Sequence, residues 1–375
     1  MNTIQSINKN RLISLFSHLV SIDSPSLGER NMCDEIIRRL EALAIPWEED
    51  NTGEKIDGNA GNLYAYIEGT LNLPPLLFSA HMDTVEPSSG KKAVIASDGK
   101  ITSAGNTVLG ADDLSGVAAI LEAITVLKES GLPHRPIELL FDVSEETYCT
   151  GIGQFDFSRL HSKEVYVLDL TGSIGSAAFQ APSILSFQAA FQGRSAHAGF
   201  SPEKGIHAIQ AAARAVTLIE CGHIDNTTVN IGTIQGGTAD NIVPESCILT
   251  GEIRSFSDEA ARSRLTLIQN IIEQSAEEAG AAVHFESQTL CLAYCIEKSQ
   301  PVVERFVNTC TKLGLTPHLQ QTYGGSDNNH FVHHGLQGLV IASGMNHCHS
   351  CQEYTNVNDL ESAAKLTLAL MLSEE

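Results

Sequence analysis

The stretch "LLFSAHMDTVEP", residues 76–87, ends a buried strand on ionisable side chains. Its first residues are apolar or small, which is typical of a strand covered on both faces, as in a parallel sheet. His81 and Asp83 follow, where a turn ordinarily brings Gly, Asn or Pro. A strand that delivers a histidine and a carboxylate together predicts a chemical role for its end.

The chain is long enough for more than one domain and is strongly acidic. Its 375 residues suit about two domains of ~150 residues each. Asp and Glu number 45 against 23 Lys and Arg, a formal net charge of −22. Such a surface repels phosphate backbones and anionic lipid, so we expect neither nucleic acid nor a membrane as partner.

Cysteine usage and the N-terminal segment predict a cytoplasmic location. Nothing near the N-terminus resembles a signal peptide, and no apolar run approaches the ~18 residues of a membrane span. Nine irregularly spaced cysteines are typical of reduced thiols rather than of a disulfide framework. Cys348 and Cys351 form a single C-x-x-C, which we interpret as free thiols because one such pair is weak evidence for zinc or redox chemistry.

The first half of the chain alternates helical and extended patterns. Helical spacing marks residues 30–45 and 115–131, and strand patterns mark residues 61–69, 74–81, 136–144 and 164–170. Residues 61–69 alternate like a half-exposed strand. This alternation predicts an α/β fold with a mostly parallel central sheet and helices on both faces.

The pattern changes near residue 183. Strand, helix, strand, strand, helix and strand follow in order up to residue 291, which predicts a small α+β domain. The α/β pattern resumes with a helix at 301–314, a strand at 338–343 and a final helix from about Asp359. We therefore predict an α/β domain made of residues 1–183 and 292–375, interrupted by an inserted domain, residues 184–291.

Acidic and histidine side chains collect at the ends of the predicted sheet strands and before one helix: His81, Asp83, Asp112, Asp113, Glu145, Glu146, Asp169, His347 and His349. The carboxyl ends of parallel strands lie along one edge of a sheet, where ligands bind. Imidazole and carboxylate together suit a pair of Zn, Co or Mn ions, commonly ~3.5–4 Å apart. One of two adjacent glutamates can then ligate while the other acts as a base.

Each of these residues alone has an ordinary structural explanation. An Asp before a helix is most often an N-cap, and Asp169 at a strand end is most often part of a turn. Adjacent glutamates usually form a solvated corner, and a lone histidine is usually structural. The occurrence of these acidic and histidine side chains together at four strand ends favours a metal site.

Eight motifs resemble the co-catalytic dizinc exopeptidases, a family that includes carboxypeptidase G, aminoacylase, succinyl-diaminopimelate desuccinylase and peptidase T. They are "HMDTV", "GADDLSGVAAI", "SEE", "LDLTG", "SAHAG", "GGTADNIVPE", "YGGSDNNHF" and "HSCQEY". The resemblance is nearest to the peptidase T-like branch, and it covers essentially the whole chain in order.

The resemblance implies two metal ions, zinc first, with cobalt or manganese as alternatives. By motif, His81 and Asp169 would bind the first ion, Glu146 and His349 the second, and Asp112 would bridge both. Glu145 would be the general base and then the acid that protonates the leaving amine. Asp83 would hydrogen-bond the far nitrogen of His81, and Asp113 would be structural.

The inserted domain resembles the family's lid and dimerisation domain, which implies a homodimer. His197 in "SAHAG" would stabilise the oxyanion, reaching the site of the partner subunit. Asn241, Arg254 and Gly325 match positions that contact substrate. The ordinary alternatives are a loop histidine at His197 and a surface strand residue at Arg254.

Two departures from the family pattern bear on rate and substrate preference. Leu114 stands where the family usually has Lys after the paired aspartates. Thr147, Tyr148 and Cys149 stand where it usually continues with Val or Ile and then Gly.

We expect a dinuclear metal-dependent hydrolase that cleaves amide bonds, with aminopeptidase-type action on di- or tripeptides. The alternatives are an N-acyl amino acid deacylase or carboxypeptidase on the same scaffold, and a binding protein that has lost hydrolysis. Specificity resides in the pocket, so the fold does not separate the enzymes.

Overall fold

The computed structural model describes residues 7–374 and divides the chain into two compact units. The α/β unit comprises the described residues up to Gln180, Cys295–Thr322, and those from Ser326 onward. The inserted unit comprises Ala181–Tyr294 and Tyr323–Gly325. The predicted boundaries at 183/184 and 291/292 lie within three residues of these limits, but the return at Tyr323–Gly325 was not predicted. Residues 1–6 and 375 of the predicted first domain lie outside the described residues.

The helices are α1 (Lys9–Val20), α2 (Arg30–Ala42), α3 (Thr52–Lys55), α4 (Ala111–Ser130), α5 (Ala208–Leu218), α6 (Asp258–Glu278), α7 (Pro301–Lys312), α8 (Asp327–His333) and α9 (Val357–Met371).

The strands are β1 (Trp47–Glu49), β2 (Leu63–Ile67), β3 (Leu76–His81), β4 (Ala93–Ile95), β5 (Lys100–Ser103), β6 (Ile137–Asp142), β7 (Glu164–Leu170), β8 (Ser176–Ala181), β9 (Ser183–Gln192), β10 (Ala196–His197), β11 (Gly222–Ile224), β12 (Thr227–Gly236), β13 (Ile242–Val243), β14 (Ser246–Ser255), β15 (Ala282–Cys291), β16 (Tyr294–Cys295), β17 (His318–Gln321), β18 (Gln337–Ala342) and β19 (Tyr354–Asn356).

The central sheet is parallel in its middle and antiparallel towards its edges. Its order is β1-β2-β6-β3-β7-β18-β8-β16, with β17 paired to β8. Strands β6, β3, β7 and β18 run parallel, whereas β2 and β8 pair antiparallel with their neighbours β6 and β18. Helix α4 packs against β3 and β7, and α8 packs against β7 and β18. The prediction of an α/β fold with a mostly parallel central sheet is confirmed.

Burial along the strands follows their place in the sheet. Every residue of β3 and β6 is buried, as expected for inner parallel strands. Strand β2 was predicted to be half exposed from its alternation. That prediction was wrong: only Tyr66 is partly exposed, because the face that carries Tyr64 and Tyr66 packs against Phe155 and His161, with 6.5 and 5.6 Å between the ring centroids.

The turn that opens α4 departs from helical geometry at its first acidic residues. Gly110 has φ +74°, and a Cβ there would lie 2.9 Å from Thr84 Cγ2, so this close approach needs glycine. Asp112 and Asp113 have non-helical backbone angles, and the peptide bond between them is cis. Asp113 Oδ1 accepts the N–H of Gly116 at 3.1 Å, as an N-cap does. The regular helix therefore starts close to the predicted residue 115.

The inserted unit is an antiparallel sheet with order β11-β12-β14-β9-β15. Helices α5 and α6 pack against this sheet and against each other. The inward side of α5 is made of alanines, which lets its backbone approach the strands closely, and its partners in the core include Phe187, Leu249 and Ile272. This is the α+β arrangement that the sequence pattern predicts.

Some short elements carry no usable sequence pattern. Strands β4, β5 and β19 form a separate three-stranded sheet, and each has only three or four residues. Within residues 7–374, no helix combines the length and apolar character needed to cross a membrane.

Candidate metal centre

The five predicted ligands lie together at the carboxyl edge of the central sheet. The donor atoms of His81, Asp112 and Asp169 are all within 4.8 Å of one another, and so are those of Asp112, Glu146 and His349. Strand β3 ends at His81, β7 carries Asp169 near its end, and Glu146 follows β6. Asp112 belongs to both groups. The arrangement is therefore two three-donor groups that share one carboxylate.

Asp112 presents one oxygen to each histidine. Its Oδ1 lies 3.1 Å from His81 Nε2, and its Oδ2 lies 3.3 Å from His349 Nε2. His349 Nε2 is also 2.9 Å from Glu146 Oε2. A carboxylate with its two oxygens directed at two separate ligand groups is what a bridge between two cations requires.

The structure distinguishes the two histidines of the "NHCHS" turn. His349 reaches Asp112 and Glu146, whereas the ring of His347 packs against Tyr354 with 5.5 Å between ring centroids. Both residues have positive φ, 54° for His347 and 60° for His349. The turn thus directs alternate side chains to different places, and only His349 joins the candidate centre.

The cluster carries an excess of carboxylates over histidines, and bound cations would balance this negative charge. Burial and the neighbouring Asp112 raise the pKa of Asp169 well above its ordinary value. Glu146 Oε1 is buried and has no hydrogen-bond partner in the described part of the chain. Imidazole nitrogens and carboxylate oxygens in two such groups are a donor set for divalent transition ions. The residues present therefore fit a dinuclear metal site.

Asp83 ties two strand ends together beneath this cluster. Its Oδ1 accepts the N–H of Glu145 at 3.0 Å, and its Oδ2 accepts the N–H of Glu146 at 3.2 Å. Ser26 Oγ donates to Oδ2 at 2.6 Å. His81 Nδ1 lies 3.3 Å from Asp83 Oδ1 and 3.0 Å from its main-chain oxygen. Asp83 therefore orients the His81 ring so that Nε2 faces Asp112.

We expect Asp83→Asn to weaken metal binding by ~10–100-fold, the usual cost of losing a partner that orients a ligand. The amide keeps the shape but removes the negative charge, and its NH₂ group cannot accept the backbone N–H bond that the replaced oxygen accepts. Competition with a chromophoric chelator measures the affinity. Asp98→Asn is the control, because Asp98 caps only an exposed turn at Lys100. Equal affinity in Asp83→Asn and the wild type would show that Asp83 does not support the ligands.

Glu145 lies beside the candidate ligands on a strained loop. Its donor atom is within 4.8 Å of those of His81 and Glu146. Burial and the nearby Asp169 raise the pKa of Glu145 well above its ordinary value, so this carboxyl takes up a proton readily. Tyr148 and Cys149 have positive φ, 63° and 56°, an arrangement that is costly for residues other than glycine and is found mostly at functional sites.

Sequence reasoning missed one residue that holds Asp112, the carboxylate shared by the two donor groups, in place. Glu353 is 2% exposed, and its carboxylate accepts the N–H groups of Gly110 at 2.7 Å and Asp112 at 2.9 Å. Burial raises the pKa of Glu353 to about 7. Glu353 thereby connects the His349 turn to the turn of Asp112. The only sequence signal was its place in the "HSCQEY" motif.

Leu114, the first departure from the family pattern, is fully buried and part of the core. A buried lysine lies nearby instead: Lys91 is 2% exposed, and its Nζ donates to the Ile22 carbonyl at 2.5 Å. A Cβ on Gly110 would lie 3.0 Å from Lys91 Cε and 3.5 Å from Leu114 Cδ1. Burial lowers the pKa of Lys91 to about 8.

The other predicted site residues belong to the inserted unit. His197 pairs with Ile242 between β10 and β13, and the N–H of Ala198 donates to the Asn241 carbonyl at 3.0 Å. His197 and Asn241 are therefore neighbours. Arg254 Nε bonds Glu252 Oε1 at 2.8 Å, and its Nη1 donates to the carbonyl of Tyr323, also at 2.8 Å.

Gly325 lies in the short segment Tyr323–Gly325 of the inserted unit, at a crowded point. A Cβ on Gly325 would lie 3.0 Å from both Cys291 Sγ and Ile184 Cδ1. A larger residue would force these two side chains to shift.

The tautomer of His197 follows from its hydrogen bonds. Nδ1 accepts the N–H of Gly199 at 3.1 Å and of Phe200 at 3.3 Å. In a neutral imidazole one nitrogen accepts and the other donates. Nε2 is therefore the N–H donor of His197.

Comparison with known proteins places these features in a family. Residues 181–280 match the model of a peptidase dimerisation domain, and residues 62–213 match the model of peptidase family M28. An uncharacterised Bacillus subtilis protein, YqjE, is 34% identical over 97% of this chain and 98% of its own length.

Two solved structures are similar along nearly the whole chain. The aminopeptidase PepT of Bacillus cereus is 35% identical with a TM-score of 0.88, and a tripeptidase of Staphylococcus aureus is 30% identical with a TM-score of 0.93. Each comparison covers 97% of this chain and 98% of the other. With the shared-carboxylate donor groups, this similarity shows that the chain is a metallopeptidase that belongs to the peptidase T-like branch of the co-catalytic dizinc exopeptidases.

Proposed function

We propose that this metallopeptidase removes the N-terminal residue from di- or tripeptides, using two divalent ions held at the carboxyl edge of the central sheet. The observation that carries the proposal is Asp112, whose two oxygens face two histidine-containing donor groups. The similarity to a PepT aminopeptidase and to a tripeptidase supports short peptides as substrates.

We assign His81 and Asp169 to one ion, Glu146 and His349 to the other, and Asp112 to both. Zinc is the ion that this mixture of imidazole and carboxylate favours, with cobalt and manganese compatible. Such a pair, when bound, polarises the scissile carbonyl and makes water acidic enough to be deprotonated near neutral pH.

Glu145 is assigned the proton transfers. Its carboxylate takes a proton from the attacking water and then donates it to the nitrogen of the leaving amine. The backbone N–H of Glu145 is held by Asp83, so the loop has a fixed position whichever protonation state the side chain adopts.

His197 is assigned the oxyanion of the tetrahedral intermediate, in the site of the partner subunit. Its neutral ring already presents Nε2–H as a donor, which is the group that this role needs. Asn241, Arg254 and Gly325 are assigned to substrate binding.

We expect His197→Ala to lower kcat by ~100-fold, the usual cost of one oxyanion donor, without lowering Tm. His197 is exposed, which is why its loss spares the fold. His197→Gln, which keeps an N–H donor, should recover part of the rate. Mixing His197→Ala with Glu145→Gln should restore activity if each site combines residues from two chains. Full activity of His197→Ala would remove the oxyanion role.

The test of the proposed function is hydrolysis of a panel of dipeptides, tripeptides and N-acyl amino acids, with and without added Zn²⁺, Co²⁺ or Mn²⁺, followed by mass spectrometry. Metal-dependent release of the N-terminal residue supports the aminopeptidase. Release of an acyl group or of a C-terminal residue overturns it in favour of a deacylase or carboxypeptidase.

We further propose a cytoplasmic homodimer. The match of residues 181–280 to a peptidase dimerisation domain supports the dimer. The odd number and irregular spacing of the nine cysteines support a reducing compartment.

A further inference from the structure

A second group of donors lies behind Glu145, on the side of Cys149. The donor atoms of Glu145, Cys149 and Asp327 are all within 4.8 Å of one another. The Cys149 thiol donates a hydrogen bond to Glu145 Oε1, with 3.3 Å between the sulfur and the oxygen. We call these three residues the thiol–carboxylate triad. The second departure from the family pattern therefore places a sulfur beside the carboxylate assigned to proton transfer.

A third carboxyl group, that of Asp142, faces Asp327 of this triad. Asp142 is the last residue of β6 and is completely buried, and its side chain faces that of Asp327, the first residue of α8. Apart from the contact between the two carboxyls, neither oxygen of Asp142 nor Asp327 Oδ1 has a hydrogen-bond partner within residues 7–374. Buried carboxylate oxygens without a donor are costly, so either a proton or a cation must compensate them.

A shared proton compensates only part of this group. Two facing carboxyls can hold one proton between them, which accounts for Asp142 and Asp327. The Cys149 thiol uses a second proton in its hydrogen bond to Glu145 Oε1, and a divalent ion held by the triad would take the place of these protons. A thiolate with carboxylates is a donor set for thiophilic divalent ions such as Zn²⁺ and Cd²⁺.

The spacing is compatible with a tetrahedral ion. Zn–S bonds of about 2.3 Å and Zn–O bonds of about 2.1 Å at tetrahedral angles separate the sulfur and oxygen by about 3.6 Å. The observed distance between Cys149 Sγ and Glu145 Oε1 is 3.3 Å. Glu145 is partly exposed, whereas Cys149 and Asp327 are no more than 2% exposed, so Glu145 is the member of the triad that solvent reaches.

We propose that the thiol–carboxylate triad is a third cation site, next to the dinuclear centre, that binds Zn²⁺ when zinc is in excess and thereby inhibits the peptidase. Binding forms a Zn–S bond, and the proton of the Cys149 thiol passes to solvent. No residue is oxidised or reduced. Inhibition follows because a Glu145 carboxylate bound to this cation no longer accepts the proton of water, and this part of the inference rests on the proposed role of Glu145.

The test uses the full chain loaded with two equivalents of Zn²⁺, to which Cd²⁺ is added. The donors of the dinuclear centre are nitrogen and oxygen, so sulfur-to-cadmium charge-transfer absorption reports a thiolate ligand. We expect this absorption to saturate at one further equivalent in the wild type and to be absent in Cys149→Ser. In parallel, the zinc concentration that inhibits peptide hydrolysis should rise by at least ~10–100-fold in Cys149→Ser.

Cys348→Ser is the matched control, because Cys348 precedes the ligand His349 and is also partly buried. It should keep both the absorption and the zinc inhibition. Asp327→Asn, which keeps the shape of the side chain but not its charge, should weaken both and decides the matter if Cys149→Ser does not fold. Absorption that persists in Cys149→Ser, or that disappears in Cys348→Ser, would overturn the site.

The two proposals fail separately in this experiment. The cadmium absorption needs no substrate, so a third site with no hydrolysis of any peptide would refute the proposed function and leave the site. Peptide hydrolysis without a third equivalent of cadmium would refute the site and leave the function.

Discussion

Glu145→Gln will retain both metal ions and lose peptide hydrolysis by ~100-fold or more, the scale of general-base catalysis. The amide has nearly the same size as the carboxylate but cannot accept the proton of the attacking water. The loop stays in place, because Asp83 holds the backbone N–H of Glu145 and not its side chain. Metal content by mass spectrometry and kcat on a tripeptide together measure the effect.

The neighbouring residue supplies the matched control for this substitution. Glu146→Gln makes the same chemical change one position along, but it removes an oxygen that lies 2.9 Å from His349 Nε2. We expect Glu146→Gln to lose metal together with activity. If Glu145→Gln turned over peptide at the wild-type rate with two metals bound, Glu145 would not be the base.

The fold and the position of the site follow from local sequence patterns. Alternating helix and strand patterns predict the parallel sheet, and the sheet brings the ends of β3, β6 and β7 to one edge. His81 and Asp169 could therefore be predicted to converge although 88 residues separate them in the sequence. The periodicity of each strand was enough to predict this convergence.

The contacts that support the ligands could not be predicted in this way. Glu353 bonds the N–H of Asp112, 241 residues away, through a turn that has no periodic pattern. The contact between Asp327 and Asp142 likewise has no periodic pattern behind it. It arises because the chain returns from the inserted unit just before α8. Such contacts depend on how separate elements pack, and a single sequence carries little information about packing.

The choice between His347 and His349 also lies beyond strand patterns. Both follow β18 by a few residues, and the residues alone left either one available as a ligand. Positive φ at each position, with Cys348 between them, turns the two side chains in different directions. The family motif selected His349, and the distances from His349 Nε2 to Asp112 and Glu146 support that choice.

His349→Ala will weaken one of the two metal ions while leaving the other bound. His349 contacts Asp112 and Glu146, whereas the donor group of His81, Asp112 and Asp169 does not include it. Losing a ligand should cost at least the ~10–100-fold in affinity that losing a ligand's supporting partner costs. Calorimetric titration of the metal-stripped protein should then show one tight and one weak equivalent.

His347→Ala is the matched control for this prediction, since it removes the same ring from the same turn. Among the ring contacts found in residues 7–374, the His347 ring packs only against Tyr354. It should keep two tight equivalents and a peptidase rate near that of the wild type. The rate of His349→Ala should fall steeply, because proton transfer by Glu145 depends on water made acidic by both ions. Tight binding of two ions by His349→Ala, with loss of one by His347→Ala, would reverse the assignment and place His347 at the second ion.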